Sequence, residues 1–194
     1  MNIQRALISV SNKTNLHELA PFLQEKGVEI LSTGGTRKYL TQHRVKSTEV
    51  SKYTGFPEMM EGRLKTLHPL IHGGILGRRG QDEEVMSEHN INPIDLVIVN
   101  LYDFEGAISK SDCGLDCAVE NIDIGGPTML RSAAKNFNDV VVLVDPTDYD
   151  EFMVNYDNIT LQRRLKYAQK VFAHTSKYDN MISQYLFYNI FKVK

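Results

Sequence analysis

The sequence contains no run of eighteen or more apolar residues, so no membrane-spanning helix is expected. Its first ten residues, MNIQRALISV, lack a basic leader, a long apolar run and a small-residue cleavage site, so we expect no signal peptide. Neither sign of charge dominates, since 22 Lys and Arg face 24 Asp and Glu. This balance gives no general reason to expect a nucleic-acid or membrane partner, and any basic binding site must be local.

Cysteine is also scarce, with Cys113 and Cys117 as the only two. Two cysteines make no disulfide framework, and their spacing predicts that they lie one helical turn apart. No further Cys and no nearby His completes a zinc-binding set, so no metal is expected. This cysteine usage favours a cytoplasmic location.

The residues that are present predict a single domain over residues 1–194. Of the 194 residues, 42% are hydrophobic, which is enough to bury a sizeable core. Short β-rich runs alternate with helix-period segments, which predicts a three-layer α/β fold: a mainly parallel sheet with helices on both faces. The predicted strands lie within RALISVS (5–11), VEILSTGG (28–35), a weakly alternating KSTEVSKYT (46–54), IDLVIVNLY (94–102) and DVVVLVDP (139–146).

Helical periodicity marks most of the segments between these runs. The first helix should end at Lys26-Gly27 and be kinked or shortened by Pro21. A later helix is predicted to open with Pro127 at its first position. From about residue 160 to 191 the chain reads as one long helix or two abutting ones. One apolar stripe of this segment comprises Leu161, Leu165, Ala168 and Phe172.

The stretch over residues 55–80 is rich in glycine and is predicted to be mostly loop. His68 and His72 are four residues apart, but Pro69 and the following glycines argue against a shared helix and hence against a metal site. The same stretch contains EGRLKTLHP (61–69). Its basic pair, Arg63 and Lys65, suits either a solvated surface or the anionic part of a substrate.

Four polar segments follow predicted strands, where ligands of an open parallel sheet bind. They are SNKT (11–14), STGGT (32–36), NLY (100–102) and, less directly, IDIGG (122–126). The first two segments offer hydroxyl groups and helix N-terminal N–H groups, which suits a phosphate. Ordinary helix caps are the alternative for each segment alone, whereas the pair on adjacent strands favours a phosphate cradle.

The other two segments offer groups for chemistry. Asn100 and Tyr102 are able to hydrogen-bond a ligand without adding charge, although strand ends commonly turn polar where they meet water. Asp123 suits a base or hydrogen-bond acceptor, or alternatively a helix-capping acid. Lys135 lies near a helix C-terminus, where the helix dipole alone explains a basic residue.

Taken in order, the motifs resemble a known family over about residues 3–185. They are ISVSNKT, STGGT, GFPEMMEGRLKTLHP, HGGIL, NLY, IDIGGPTMLRSAAKN and HTSKYD. The chain is similar to the inosine monophosphate (IMP) cyclohydrolase domain of the bifunctional purine-biosynthesis enzyme. The resemblance implies a methylglyoxal-synthase-like fold and closure of formamidoimidazole-carboxamide ribotide (FAICAR) to IMP and water, without a cofactor. In the full-length family protein a transformylase domain follows, and its activity is expected to be absent from this chain.

Carried over position by position, the resemblance also implies a site. The implied catalytic residues are Lys65, Tyr102, Asp123 and Lys135. The implied nucleotide contacts are Ser11, Asn12, Lys13, Thr33, Gly34, Gly35, Thr36, Arg63, Leu64, Lys65, Thr66, Val99, Asn100, Asp123 and Ile124. Two departures are visible: Asp103 replaces the usual Pro after NLY, and Asn12 stands where Asp is common. Neither departure removes a catalytic candidate.

Three matters stay open at this point. If residues 127–135 form a straight helix, Lys135 lies about 12 Å along it from Pro127, and sharing a site with Asp123 requires the preceding segment to fold back. The resembling family is dimeric, so a homodimer is one expectation. A methylglyoxal-synthase-like lyase and a non-catalytic nucleotide sensor are alternatives on the same fold.

Overall fold

The structure is a computed structural model that describes residues 2–190. Within that range five strands form one sheet in the order β3-β2-β1-β4-β5, and every neighbouring pair is parallel. The strands are β1 (Arg5–Val10), β2 (Glu29–Ser32), β3 (Thr48–Glu49), β4 (Leu96–Asn100) and β5 (Val141–Leu143). Each predicted run contains one of these strands, which confirms the parallel α/β sheet.

Helices pack around the sheet. In chain order they are α1 (Leu16–Glu25), α2 (Gly34–Gln42), α3 (Val50–Thr54), α4 (Pro69–Leu76), α5 (Glu83–Glu88), α6 (Phe104–Ile108), α7 (Leu115–Glu120), α8 (Gly125–Lys135), α9 (Tyr149–Val154) and α10 (Leu161–Ile190). Side chains on consecutive strand residues point to opposite faces, so a fully buried run means that both faces are covered. Ala6, Leu7 and Ile8 of β1 are all fully buried, as is most of β4.

The strand order reverses between β1 and β4. The chain moves outward from β1 through β2 to β3, and then returns so that β4 lies on the other side of β1. Parallel sheets of this kind bind ligands at such a reversal, beyond the carboxyl ends of the two strands. The segments after Val10 and Asn100 meet at this edge of the sheet.

The structure corrects two details of the helix predictions. Pro21 does not shorten α1, because Leu19 and Leu23 are fully buried and this packing offsets the hydrogen bond that proline cannot donate. Helix α8 begins at Gly125 rather than Pro127. Proline is tolerated at the third helical position because the first N–H groups of a helix have no intrahelical partner.

The prediction that no helix follows His68 is also wrong. His68 caps α4 by accepting a hydrogen bond from a backbone N–H, and Pro69 occupies the first helical position. The glycines are needed for packing: a Cβ atom on Gly74 would lie 2.6 Å from the carbonyl oxygen of Asn92. The glycine-rich sequence therefore allows α4 to lie close to the segment before β4.

The C-terminal segment forms one helix, α10, up to Ile190; residue 191 of the predicted segment lies outside the described residues. Its apolar stripe is only partly used for packing. Ala168 is buried, but Leu165 is 51% and Phe172 41% exposed. The buried face lies to one side of that stripe and comprises Tyr167, Ala168, Val171, Thr175 and Tyr178. None of the helices in the part of the chain that the structure describes is long and apolar enough to span a membrane.

The cysteine prediction needs a correction as well. The structure joins Cys113 and Cys117 in a disulfide. The two residues do not share a helical turn, because α7 begins only at Leu115. Cys113 precedes that helix in a loop, from which its sulfur atom reaches Cys117.

Candidate active site

The loops after β1 and β4 are locked together by one amide side chain. The Asn100 Oδ1 atom accepts hydrogen bonds from the backbone N–H groups of Ser11 (2.7 Å) and Asn12 (2.9 Å), and its Nδ2 atom donates to the Asn12 carbonyl (2.8 Å). The Ser11 hydroxyl also donates to the Leu101 carbonyl, at 2.6 Å. The two loops at the strand reversal therefore form one fixed edge.

Lys13 places a cation at this edge. Its Nζ atom donates to the carbonyl oxygens of Val10 (3.0 Å) and Ser11 (3.1 Å). A lysine ammonium group has three donors, so one remains for a ligand. Burial lowers the pKa of Lys13.

The loop after β2 adds the open first turn of α2. The Thr33 hydroxyl pairs with that of Ser9 (2.8 Å) and does not cap the helix. The buried Thr36 hydroxyl accepts a hydrogen bond from the Val10 N–H group at 3.0 Å, which ties α2 to β1. Among residues 2–190, apart from the chain neighbours and the backbone of α2 itself, no atom lies within 4 Å of where a Cβ atom on Gly34 or Gly35 would stand. A ligand therefore has free approach to the N-terminal turn of this helix.

The EGRLKTLHP segment forms a tight hairpin beside the sheet edge. Met59 and Leu64 form an isolated antiparallel bridge. Between them, Met60, Glu61 and Gly62 all have positive φ angles, of 54°, 55° and 91°. Residues other than glycine rarely adopt positive φ angles, so the hairpin is a strained turn.

This hairpin holds Lys65 against a carboxylate that the sequence motifs did not single out. The Lys65 Nζ atom lies 2.9 Å from Glu58 Oε2. Gly62 makes room for the pair, because a Cβ atom there would lie 2.5 Å from Glu58 Oε1. The only local signal was an acidic residue seven positions before the lysine.

The same loop packs on the start of α8. Thr66 is buried, and a Cβ atom on Gly125 would lie 2.8 Å from its Oγ1 atom. Arg63 is more exposed, and its guanidinium lies 3.6 Å from Glu120. A pair this exposed contributes little to stability, so Arg63 keeps the freedom to meet a ligand.

Asp123 joins the loop after β4 to the start of α8. Its carboxylate accepts hydrogen bonds from the backbone N–H groups of Gly126 (2.8 Å) and Tyr102. Burial raises the pKa of Asp123 and outweighs these two hydrogen bonds, which lower it. The Tyr102 residue itself is 59% exposed, as is Ile124, whereas Val99 is buried within β4. The segments that carry Lys65, Tyr102 and Asp123 thus meet at one edge.

Lys135 is the implied catalytic residue that does not join them. It ends α8, about 15 Å along the helix axis from Gly125. Helix α8 lies between β4 and β5 in the chain, and because these strands are parallel it must run back along the sheet, away from the strands' carboxyl ends. Lys135 lies on an open apolar groove between α8 and α10, together with Phe137, Leu165 and Phe172.

The histidines in the part of the chain that the structure describes do not build a metal site. The His68 Nδ1 atom caps α4, and the His72 Nδ1 atom lies 3.2 Å from the Ser132 hydroxyl. Burial lowers the pKa of His72. Across residues 2–190, no group of three or more His, Cys, Asp or Glu side chains is arranged to hold a metal ion.

Similarity to known proteins agrees with this geometry. The model of the MGS-like domain family matches residues 15–128, and that of the AICARFT/IMPCHase bienzyme matches residues 133–192. A protein solved as the "Crystal structure of ForH" is 34% identical in sequence, with a TM-score of 0.85 over 93% of this chain and 95% of that chain. This chain belongs to the MGS-like domain family, and its C-terminal part carries the AICARFT/IMPCHase signature expected of an IMP cyclohydrolase domain.

Proposed function

We propose that this chain is an IMP cyclohydrolase that closes FAICAR to IMP and water, the last step of de novo purine biosynthesis. The observation that carries the proposal is the meeting of three loops at the strand reversal. One loop presents Lys65, a second Tyr102 and a third Asp123. The family matches point to the same class of reaction.

The reaction needs positioning and proton transfer. The carboxamide nitrogen of FAICAR attacks the formyl carbon, and the tetrahedral adduct then loses water. No atom is oxidised and no phosphoryl group moves, so the reaction requires neither a redox cofactor nor a metal. An amide nitrogen is a poor nucleophile, so the site must hold the two groups together and stabilise charge on the formyl oxygen. It must also take protons from nitrogen and return them to the oxygen that leaves as water.

The phosphate of the nucleotide would lie between the loops after β1 and β2. The open first turn of α2 at Gly34 and Gly35 offers backbone N–H groups and the positive end of the helix dipole. Lys13 adds the remaining donor of its ammonium group. Ser11, Asn12 and Asn100 keep the cradle in shape through their mutual hydrogen bonds. Arg63 would contact the nucleotide from the hairpin.

The reacting groups would then lie near the start of α8. Lys65 would contact the formyl oxygen as negative charge develops there. The ion pair with Glu58 holds the lysine side chain in place for this contact. The Asp123 carboxylate would accept the carboxamide proton. Its raised pKa lies nearer to neutral pH, which suits a general base. The exposed Tyr102 hydroxyl would hydrogen-bond the adduct.

We assign Lys135 no step within its own chain. Instead we propose an active homodimer in which Lys135 of one subunit approaches the site of the other. In support, Lys135 borders an exposed groove whose lining includes Phe137, Leu165 and Phe172. Exposed apolar surface of this kind is typical of association sites.

A direct test is to incubate the pure chain with FAICAR and follow the absorbance of the purine ring. We expect turnover to IMP without added cofactor. Tight IMP binding without turnover would favour the nucleotide-sensing alternative, and release of methylglyoxal from a triose phosphate would favour the lyase. Either result would overturn the proposal.

A further inference from the structure

We propose that Tyr178 is a positioning residue for Asp123, so that the C-terminal helix α10 belongs to the catalytic apparatus. This inference rests on the proposed function. Tyr178 lies in the HTSKYD motif, which the proposed mechanism leaves without a role. Its hydroxyl oxygen accepts a hydrogen bond from the backbone N–H group of Asp123 at 2.9 Å. The same hydroxyl donates to the Asn121 carbonyl oxygen at 3.4 Å.

The contact is made in the interior. Tyr178 is 4% exposed, and its ring packs edge-on against Phe104, with centroids 6.3 Å apart. Phe104 opens α6, two residues after Tyr102. The tyrosine ring therefore supports the segment that follows Tyr102, while its hydroxyl holds the turn that carries Asp123.

This placement leaves Asp123 fixed from two directions. The N–H groups of Gly126 and Tyr102 hold its carboxylate, and Tyr178 holds its main chain. Without the hydroxyl, a part-buried N–H group would lose its partner, and the turn would shift to satisfy it. Catalysis depends steeply on such positions, since a displacement of about 1 Å is able to cost about a hundredfold in rate.

Tyr167 provides a matched control on the same helix. It is 2% exposed, and its buried hydroxyl has no hydrogen-bond partner within the described residues. Tyr167→Phe and Tyr178→Phe therefore each remove one buried hydroxyl from α10. Only the second removes a contact to the proposed site.

The test compares kcat, KM and the thermal midpoint for the two variants. We expect Tyr178→Phe to lower kcat by about tenfold to a hundredfold. The KM should change little, because the cradle around Gly34 and Gly35 is untouched. Tyr167→Phe should keep the wild-type kcat. Equal kcat values in the two variants, or a loss in Tyr178→Phe that only follows loss of folded protein, would overturn the inference.

A second measurement separates this inference from the proposed function. Hydrogen exchange at the Asp123 amide, followed by NMR, reports the contact whether or not the protein turns over FAICAR. Tyr178→Phe should speed that exchange at least tenfold, and Tyr167→Phe should not. If the wild type fails to close FAICAR, the proposed function fails, and exchange alone then decides whether Tyr178 anchors the turn. Unchanged exchange in Tyr178→Phe would show that it does not.

Discussion

At the scale of residues, several side chains assigned to the nucleotide serve the loops that would hold it. The Asn100 amide is hydrogen-bonded to Ser11 and Asn12, and the Thr36 hydroxyl is hydrogen-bonded to Val10. Backbone N–H groups are therefore left as the main donors to a phosphate. The glycines of the site fall into two groups: some adjoin open space, and others are tightly packed against their neighbours.

This difference predicts opposite outcomes for two glycine substitutions. Gly35→Ala adds a Cβ atom that meets no described atom beyond its own helix within 4 Å, so the thermal midpoint should hold or rise while the KM for FAICAR rises about tenfold. Gly126→Ala puts a Cβ atom 2.5 Å from Asp123 Oδ2 and 2.7 Å from Leu101 Cδ2, and should cost about 1–3 kcal/mol of stability. Thermal melts and steady-state kinetics check both. An unchanged KM in Gly35→Ala would remove α2 from the proposed cradle.

The raised pKa of Asp123 predicts the acid limb of the pH–rate profile. Burial raises this pKa in the ligand-free chain, and the proposed base works as the carboxylate, so kcat/KM should fall as pH drops through a value above the ordinary aspartate range. The profile of kcat/KM against pH measures this limb. Asp123→Asn should lower kcat by about a hundredfold or more and abolish the limb. An acid limb that persists unchanged in a residually active Asp123→Asn would assign it to another group.

For two contacts of the site, the sequence offers only a weak signal. Glu58 contacts Lys65 only because three consecutive residues of the hairpin have positive φ angles, and no spacing of residues in the sequence predicts those angles. Tyr178 meets Asp123 across 55 residues of chain. Such long-range contacts depend on packing, and a single sequence does not encode them in a readable period.

At the scale of elements, the buried strands were predictable because continuous apolar runs bounded by turn residues are typical of parallel sheets. Helix α4 was missed because its glycines serve close packing against the segment around Asn92 rather than a turn. The apolar stripe of α10 also failed to indicate which face the helix buries. Its buried residues include Tyr167 and Thr175, whereas the leucines of the apolar stripe are exposed.

Helix α10 is also tethered by charge. The Lys170 Nζ atom lies 2.9 Å from Asp145 and 2.8 Å from Asp148. Burial raises the pKa of Asp145, but hydrogen bonds from Thr147 and Lys170 outweigh it and lower the pKa to about 2. A depressed pKa stabilises the fold above the ordinary aspartate range, and this stability is lost as pH falls toward about 2.

Asp145→Asn should therefore lower the free energy of unfolding at neutral pH, by about 0.5–1 kcal/mol because the pair is partly exposed. It should also flatten the loss of stability between about pH 4 and pH 2. Urea unfolding at several pH values measures both effects. The control is Asp112→Asn, which changes an exposed loop aspartate. Equal pH dependence in Asp145→Asn and the wild type would show that the tether carries no stability.

At the scale of the whole molecule, one chain gathers three of the four implied catalytic residues. Lys135 remains a helix length away, on the groove between α8 and α10. The proposed homodimer reconciles this position with a role at the site of the other subunit.

Subunit mixing tests that arrangement. Lys65→Ala and Lys135→Ala should each be nearly inactive alone. Mixed and allowed to exchange subunits, they should regain roughly a quarter of wild-type activity, because half of the dimers are mixed and each mixed dimer has one intact site. A mixture that stays inactive would place both lysines in one chain's site. Full activity of Lys135→Ala would remove Lys135 from the mechanism.

The most direct measurement of the proposed mechanism is the rate of purine formation by Lys65→Ala at saturating FAICAR. Arg63→Ala serves as the control, because it removes the neighbouring cation of the same hairpin but only a binding contact. The mechanism predicts that Lys65→Ala lowers kcat by about 10²–10³-fold, because it removes a group that stabilises the developing oxyanion. Arg63→Ala should mainly raise KM. Near-wild-type kcat in folded Lys65→Ala would contradict it.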